Sequence, residues 1–428
     1  MLKIKDILIE GFWGTHTIKT NFKDDVNIFI GRNGTGKTTF INLLQAVLNV
    51  DLDLLYSIQF SAITINLKGK NLRRKIEVKK VEEEFIYNHL EFKLGQRKYK
   101  FPIITNRDIK LLNRSNGRIP PSLLREIKSL KEEMFSLINV SYLSVSREKI
   151  IKDEYKERRK DDIYNAIDIR LEELIGELQA YQLQLETELS KHSKKFQENV
   201  LRTMLFNEEF DGIKISEPIK IDIKKMQLGL KQAYKVLGLL EDQIMDAIDK
   251  HVEAIKKASD TINNLHLNKI DSVGPNDVTP LTLLRRTDKI IEFSNALEKN
   301  KSEIFKRLNK YITLLNGFQD TKRFNLEDSK VGGISIYKDD EEIDVSKLSS
   351  GEKQLIILLT ETLLQKESET LFIADEPELS LHIEWQRKVI SSIRELNPNS
   401  QIIVATHSPE IVGKYKTHAI NMERIING

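Results

Sequence analysis

The chain has 428 residues, of which 40% are hydrophobic and 31% charged, with a formal net charge of +3 and no cysteine. At roughly 100–200 residues per domain it holds two to four units with a sizeable core, and the lack of cysteine excludes disulfide frameworks, catalytic thiols and zinc ribbons. No apolar run approaches the roughly 18 residues of a membrane-spanning helix, and the amino terminus alternates charged and apolar residues instead of carrying the apolar core of a secretion signal, so a cytoplasmic protein without membrane segments is expected.

In chain order, residues 4–9 and 26–30 read as two strands separated by a turn with Gly11 and Gly14. The second is a nearly continuous apolar run, as in a strand buried on both faces of a parallel sheet. Residues 38–48 then read as a helix with Phe40, Leu43, Leu44 and Val47 along one face. Strand-like pieces at 63–67, 75–81 and 85–94 alternate with basic turns and predict an antiparallel β subregion. Residues 68–131 carry 18 Lys or Arg against 7 Asp or Glu, a local net of +11 (18 − 7). Such a block marks either a surface for nucleic acid or the solvated face of a Lys-rich protein.

The middle of the chain is helical. Ile167, Leu171, Leu174, Leu178, Tyr181 and Leu185 form a heptad seam with charged flanks; the same spacing serves a coiled coil or a compact bundle. Further helical patterns cover about 228–265 and 281–315, and a helix of about 35 residues would reach roughly 50 Å. After residue 324 a hairpin (333–337 with 342–345), a helix (352–365), a strand (371–374), a helix (382–396) and a last strand (401–405) imply a parallel sheet. The organisation expected is an amino-terminal lobe, 1–148, a helical and partly coiled-coil insert, 149–322, and a carboxy-terminal lobe, 323–428. Residues 338–378 hold 4 basic and 12 acidic side chains, a local net of −8 (4 − 12).

Gly31, Arg32, Asn33, Gly34, Thr35, Gly36, Lys37 and Thr38 match the phosphate-binding loop pattern between a strand and a helix, with Thr39 beside it. Glycines let backbone N–H groups face the phosphates, and the helix amino terminus adds a favourable dipole. Lys37 is expected to bridge the β- and γ-phosphates of ATP, and Thr38 to ligate Mg²⁺. Far downstream, Asp375 and Glu376 directly follow a buried strand. The first suits the Mg²⁺ shell and the second a water-activating base.

Residues 348–352 (Leu-Ser-Ser-Gly-Glu) precede this acidic pair, Pro377-Glu378-Leu379-Ser380-Leu381-His382 follows it, and Thr406-His407-Ser408 ends the last strand. This order resembles the nucleotide-binding head of the ABC ATPase superfamily, in its chromosome-maintenance-like branch, over roughly the first 150 and last 105 residues. The resemblance implies an α/β head with a P-loop parallel sheet, an antiparallel subregion and a helical insert. It also implies a signature segment (Ser349, Ser350, Gly351) that caps the γ-phosphate bound to an opposite subunit. Ser350 and Glu352 depart from the family's glycine and glutamine, both tolerably. His407 matches the switch histidine. The family's glutamine loop has two candidates, Gln59 and residues 144–147.

Absences narrow the resemblance. Without cysteine there is no zinc hook, and the 20 residues after Ser408 are too few for the nuclease domain of overcoming-lysogenisation-type proteins. The remaining likeness is to stand-alone ATPases of bacterial anti-phage systems, closest in plan to the PARIS-type ATPase AriA, with the Septu-type PtuA similar. It implies a homo-oligomer, head to head or higher, that controls a separately encoded effector nuclease and answers a phage-encoded trigger, with no nuclease of its own. The alternative is a DNA-binding clamp or repair ATPase that grips duplex through residues 68–131.

Overall fold

The computed structural model describes residues 2–83, 86–102, 121–144, 166–205, 219–267, 272–326 and 333–427. Lys3–Phe12 (β1) and His16–Asn21 (β2) form a hairpin whose tip holds Trp13 at φ 54° and Gly14 at φ 90°. Val26–Ile30 (β3) leads through the glycine loop into Lys37–Asn49 (α1), followed by Leu52–Ser57 (α2). Ala62–Lys68 (β4), Arg73–Glu83 (β5), Ile86–Leu94 (β6) and Arg97–Pro102 (β7) complete a six-stranded antiparallel sheet in the order β2-β1-β4-β5-β6-β7. The opening hairpin thus belongs to the antiparallel subregion, with β3 in the other sheet. The inner face of the antiparallel sheet (Ile7, Ile9, Ile63, Ile65, Ile76, Val78, Phe92) shares one core with Phe40, Leu43 and Val47 of α1. That is the alternation a half-buried sheet requires. On the same strands, Glu77 pairs with Lys75 and Lys93, and Glu91 with Lys98, so part of the basic block is neutralised within its own sheet. Pro121–Leu137 (α3) and Asn139–Ser144 (β8) close this part of the chain.

Four longer helices follow: Ala166–Thr203 (α4), Ile223–Val236 (α5), Asp242–His266 (α6) and Leu284–Asn316 (α7). The seam residues Leu171, Leu174, Leu178, Tyr181 and Leu185 are buried. The pattern over 228–265 is two helices and not one. The chain breaks at Gly238, which takes φ 71°, while Leu237, Leu239 and Leu240 carry the apolar pattern across the break. Two compact units result, Met1–Gln179 with Lys310–Gly428, and Ala180–Asn309. The 148/149 boundary drawn from the sequence lies outside the described residues. The one at 322/323 differs from the structural cut, which falls inside α7 because the helix end packs on the head. The Tyr311 hydroxyl lies 2.7 Å from that of Thr360, and Arg170, near the start of α4, donates twice to the buried Glu361 carboxylate at 3.1 and 2.9 Å. In the second unit, Met226 and Leu230 of α5 pack with Ile248, Val252 and Ile255 of α6. Among the described residues no helix is long and apolar enough to cross a membrane.

Lys322–Asn325 (β9), Ser335–Lys338 (β10) and Glu341–Ile343 (β11) form a small antiparallel sheet, with Asp339 and Asp340 at φ 51° and 63° in the hairpin turn. Then come Ser350–Leu364 (α8), Thr370–Asp375 (β12), Ile383–Leu396 (α9), Gln401–Ala405 (β13), Pro409–Val412 (α10), Ala419–Asn421 (β14) and Met422–Asn427 (α11). The expected last strand, β13, is followed by another, since β14 pairs with β3. The parallel sheet runs β14-β3-β13-β12-β8, and β3, β12 and β13 are buried on both faces. Register aligns Asp375 with Ala405 and Ser144, and Ala405 with Phe29. The carboxyl ends of four strands therefore deliver the glycine loop, the acidic pair, residues 406–408 and Ser144 to one edge, where open α/β sheets bind ligands.

Candidate active site

The glycine loop is built around one ammonium group. Lys37 is 4% exposed, and its Nζ donates to the Gly31 and Arg32 carbonyls at 3.0 and 3.1 Å. Burial lowers its pKa, while the nearby Glu376 and Asp375 charges act in the opposite direction. Gly36 sits at φ 84°, and a Cβ there would lie 2.9 Å from the Trp13 ring and 3.0 Å from that of Phe12. Only glycine satisfies both the left-handed backbone and the close approach. The first helical bond of α1 is Phe40 N–H to the Gly36 carbonyl, 2.8 Å, so the N–H groups at 37–39 remain for an anion.

Facing the loop is an acidic wall. Asp375 accepts a hydrogen bond from the Thr38 hydroxyl, and burial, reinforced by the Glu376 and Glu378 charges, pushes its pKa up to about 6. Its Oδ1 is buried without a hydrogen-bond partner. Glu376 takes φ 48° and is pinned through its N–H to the Ala405 carbonyl at 2.8 Å. Its Oε1 lies 3.7 Å from Nε2 of His407, and both side chains are 35% exposed. Residues 33–39, Glu376, His407 and Trp13 line one cavity of about 270 Å³. A phosphate cradle and a half-exposed acid beside a histidine thus share a single space, and the Asp375 carboxylate, which does not line it, is tied to it through the Thr38 hydroxyl.

The AAA ATPase domain family matches residues 2–412. The chain belongs to this family. Similar proteins include a retron Vc95 probable ATPase from Vibrio cholerae serotype O1 biovar El Tor, 25% identical over 51% of this chain and 44% of its own length. A retron Ec83 probable ATPase from Escherichia coli is 23% identical over 99% of this chain and 71% of its own. The Septu protein PtuA from Bacillus thuringiensis is 30% identical over 28% of this chain and 32% of its own. The chain thus spans less than half the length of the Vibrio and Bacillus relatives. Among solved structures, an Smc head domain with an extended coiled coil from Pyrococcus furiosus aligns over 100% of this chain and 95% of its own, at 16% identity and a TM-score of 0.42.

Within this ATPase domain the structure separates the expected site residues into two groups. The loop residues, Asp375, Glu376 and His407 converge as described. Ser349, Ser350 and Gly351 are not among the residues lining that cavity. Ser349 caps α8 in a reciprocal capping box with Glu352, and Lys322 holds the Glu352 carboxylate at 2.6 and 2.8 Å. The substituted Glu352 is therefore an internal brace, its pKa held below the ordinary carboxylate range by those bonds against the opposing effect of burial. A Cβ on Gly351 would lie 2.2 Å from the Ser380 carbonyl oxygen. Gly351→Ala is expected to destabilise the protein by about 3 kcal/mol, read as a lowered denaturation midpoint. An unchanged midpoint would show that the two segments part easily.

Of the glutamine-loop candidates, Gln59 is exposed and lies at the hairpin tip, its carbonyl accepting from Trp13 N–H at 3.1 Å. Ser144 stands in register beside Asp375, and residues 145–147 lie outside the described residues. Two side chains escaped the sequence reading. Trp13 reaches the cavity because a left-handed residue at the hairpin tip turns it there. Glu378 reaches residues 406–408 across a turn, and only its place directly after the acidic pair hinted at a role.

Proposed function

We propose that the chain binds ATP and hydrolyses it to ADP and phosphate, and that this cycle controls a separately encoded toxic effector in an anti-phage system. The convergence of Lys37, Thr38, Glu376 and His407 on one cavity, with Asp375 bonded to the Thr38 hydroxyl, carries the chemical half. Lys37 and the N–H groups at the α1 amino terminus hold the phosphates, and Trp13 offers an exposed ring for the base. The Thr38 hydroxyl and Asp375 would hold Mg²⁺, whose charge neutralises the phosphates when bound; the unpartnered Asp375 Oδ1 fits a cation. Glu376 orients the attacking water and takes its proton, and His407 faces the terminal phosphate.

Glu376→Gln should retain ATP binding while slowing turnover about 100-fold. Undiminished turnover in a preparation free of contaminating ATPase would refute the assignment. Ser349, Ser350 and Gly351 act, in this reading, on the nucleotide of a second copy. Mixing Lys37→Ala with Ser349→Arg subunits should then restore part of the activity that each lacks alone. No recovery in mixed oligomers would reduce the signature segment to a helix cap.

The likeness to retron and Septu proteins supports a place in anti-phage defence; the oligomer that holds an effector nuclease and releases it on a phage-encoded trigger is our extension of it. Co-expression with the product of a neighbouring gene, followed by co-purification and a toxicity assay, tests it. The chain itself should leave plasmid, single-stranded DNA and transfer RNA intact in Mg²⁺ or Mn²⁺. Cleavage that co-purifies with the protein would overturn that expectation. The DNA-clamp reading is the second one; it rests on the excess of 11 positive charges over residues 68–131 that remains after Glu77 and Glu91 are counted.

A further inference from the structure

The turn that follows the acidic pair carries a carboxylate with an unusual load. Glu378 Oε1 accepts from the Thr406 hydroxyl at 2.5 Å, from His407 N–H at 3.0 Å and from Ser408 N–H at 3.3 Å. Its Oε2 is buried without a partner. All three donors lie in the arc between β13 and α10 from which the His407 imidazole reaches Glu376. A second strap runs parallel, with the Ser408 hydroxyl donating to Gln386 Oε1 at 2.6 Å and Gln386 Nε2 donating to the Leu381 carbonyl at 2.9 Å.

From this geometry we infer that Glu378 is a positioning residue, which sets the backbone of residues 406–408 so that the His407 ring faces Glu376 and the cavity. The inference rests on the hydrolysis reading and deepens it. Two backbone N–H groups and one hydroxyl meeting a single oxygen fix the arc more tightly than any one bond, since moving it breaks all three together. The turn bearing Glu378 is itself held, with Leu379 N–H donating to the Glu376 carbonyl at 3.0 Å and Leu381 N–H to the Glu378 carbonyl at 2.9 Å, so the carboxylate is anchored on the same segment as the water-orienting acid. Any shift of this turn moves Glu376 and His407 as a pair.

The test is steady-state ATP hydrolysis by the full chain, with binding of a fluorescent ATP analogue and thermal denaturation followed in parallel. Glu378→Ala should lower kcat about 30-fold with KM changed less than about threefold, because binding is left to the loop and only the reacting geometry is disturbed. Glu378→Gln, which keeps an acceptor toward the three donors, should recover most of that loss. In a His407→Ala background, Glu378→Ala should add nothing further, since both act through one ring. A multiplicative loss in the double variant, or equal rates for wild type and Glu378→Ala, would overturn the inference. Should Glu378→Ala fail to fold, Thr406→Val removes one donor at constant volume; a several-fold fall in kcat supports positioning and an unchanged kcat refutes it. Turnover that Glu376→Gln stops and Glu378→Ala leaves intact would defeat this inference alone, whereas wild-type protein without turnover would defeat it together with the hydrolysis reading.

Discussion

Asp375→Asn is expected to make the metal-free protein more stable while abolishing ATP turnover. Burial is the main cause that raises the Asp375 pKa to about 6, so between roughly pH 4 and 6 the folded state binds a proton that the unfolded state has released. Stability therefore falls as pH rises through that window. Above it the folded protein carries a destabilised carboxylate worth roughly 3 kcal/mol. The neutral amide removes that penalty and still accepts from the Thr38 hydroxyl. At pH 8 the variant should melt a few degrees higher than wild type, and the difference should vanish as pH falls from 6 to 4. With Mg²⁺ and ATP the order should reverse, because only the wild type gains from ligand binding. Turnover should fall at least about 1,000-fold, the carboxylate being needed for metal-assisted phosphoryl transfer. A variant less stable than wild type at pH 8, or one that still hydrolyses ATP, would show that Asp375 is a structural acid.

Lys37→Ala is expected to remove nucleotide binding altogether within the accessible concentration range. In the free protein the ammonium already holds two carbonyls of the loop, so the residue both shapes the cradle and supplies its charge. Charge-assisted hydrogen bonds contribute about 1.5–3 kcal/mol each, and losing two such bonds to the phosphates weakens affinity by about 100-fold or more. Equilibrium binding of a fluorescent ATP analogue is the check, with the melting curve as control. Because burial alone lowers the Lys37 pKa, Lys37→Met, which keeps the apolar stem, should retain the fold and still bind nothing. Binding within tenfold of wild type in either variant would move the phosphate site elsewhere.

The loop, the acidic pair and the histidine were legible because their chemistry is written in short, fixed spacings between elements whose periodicity is strong. What remained hidden depends on contacts that spacing does not encode. Glu378 meets partners at 406–408 only because parallel pairing puts the ends of β12 and β13 side by side. Trp13 enters the cavity through a left-handed backbone, a conformation that no tryptophan advertises. The break at Gly238 was masked by leucines on either side. Strand β14 escaped because three residues, Ala419–Asn421, carry too little pattern to separate a strand from a loop. The helical seam announced burial, yet not that the unit boundary would fall within a helix, which follows from side chains such as Tyr311 reaching into the head.

That short strand has a practical side. Residues 419–421 shield the flank of β3, and just beyond them Glu423 accepts the Arg32 backbone N–H at 3.2 Å. The family match stops at residue 412, so the glycine loop leans on a segment outside the matched region. Trimming at residue 412 would bare an unpaired sheet edge, inviting strand-to-strand association, and would leave the loop without its outer support. Residues 419–423 are where the resting shape of the loop can be retuned without touching any residue that lines the cavity.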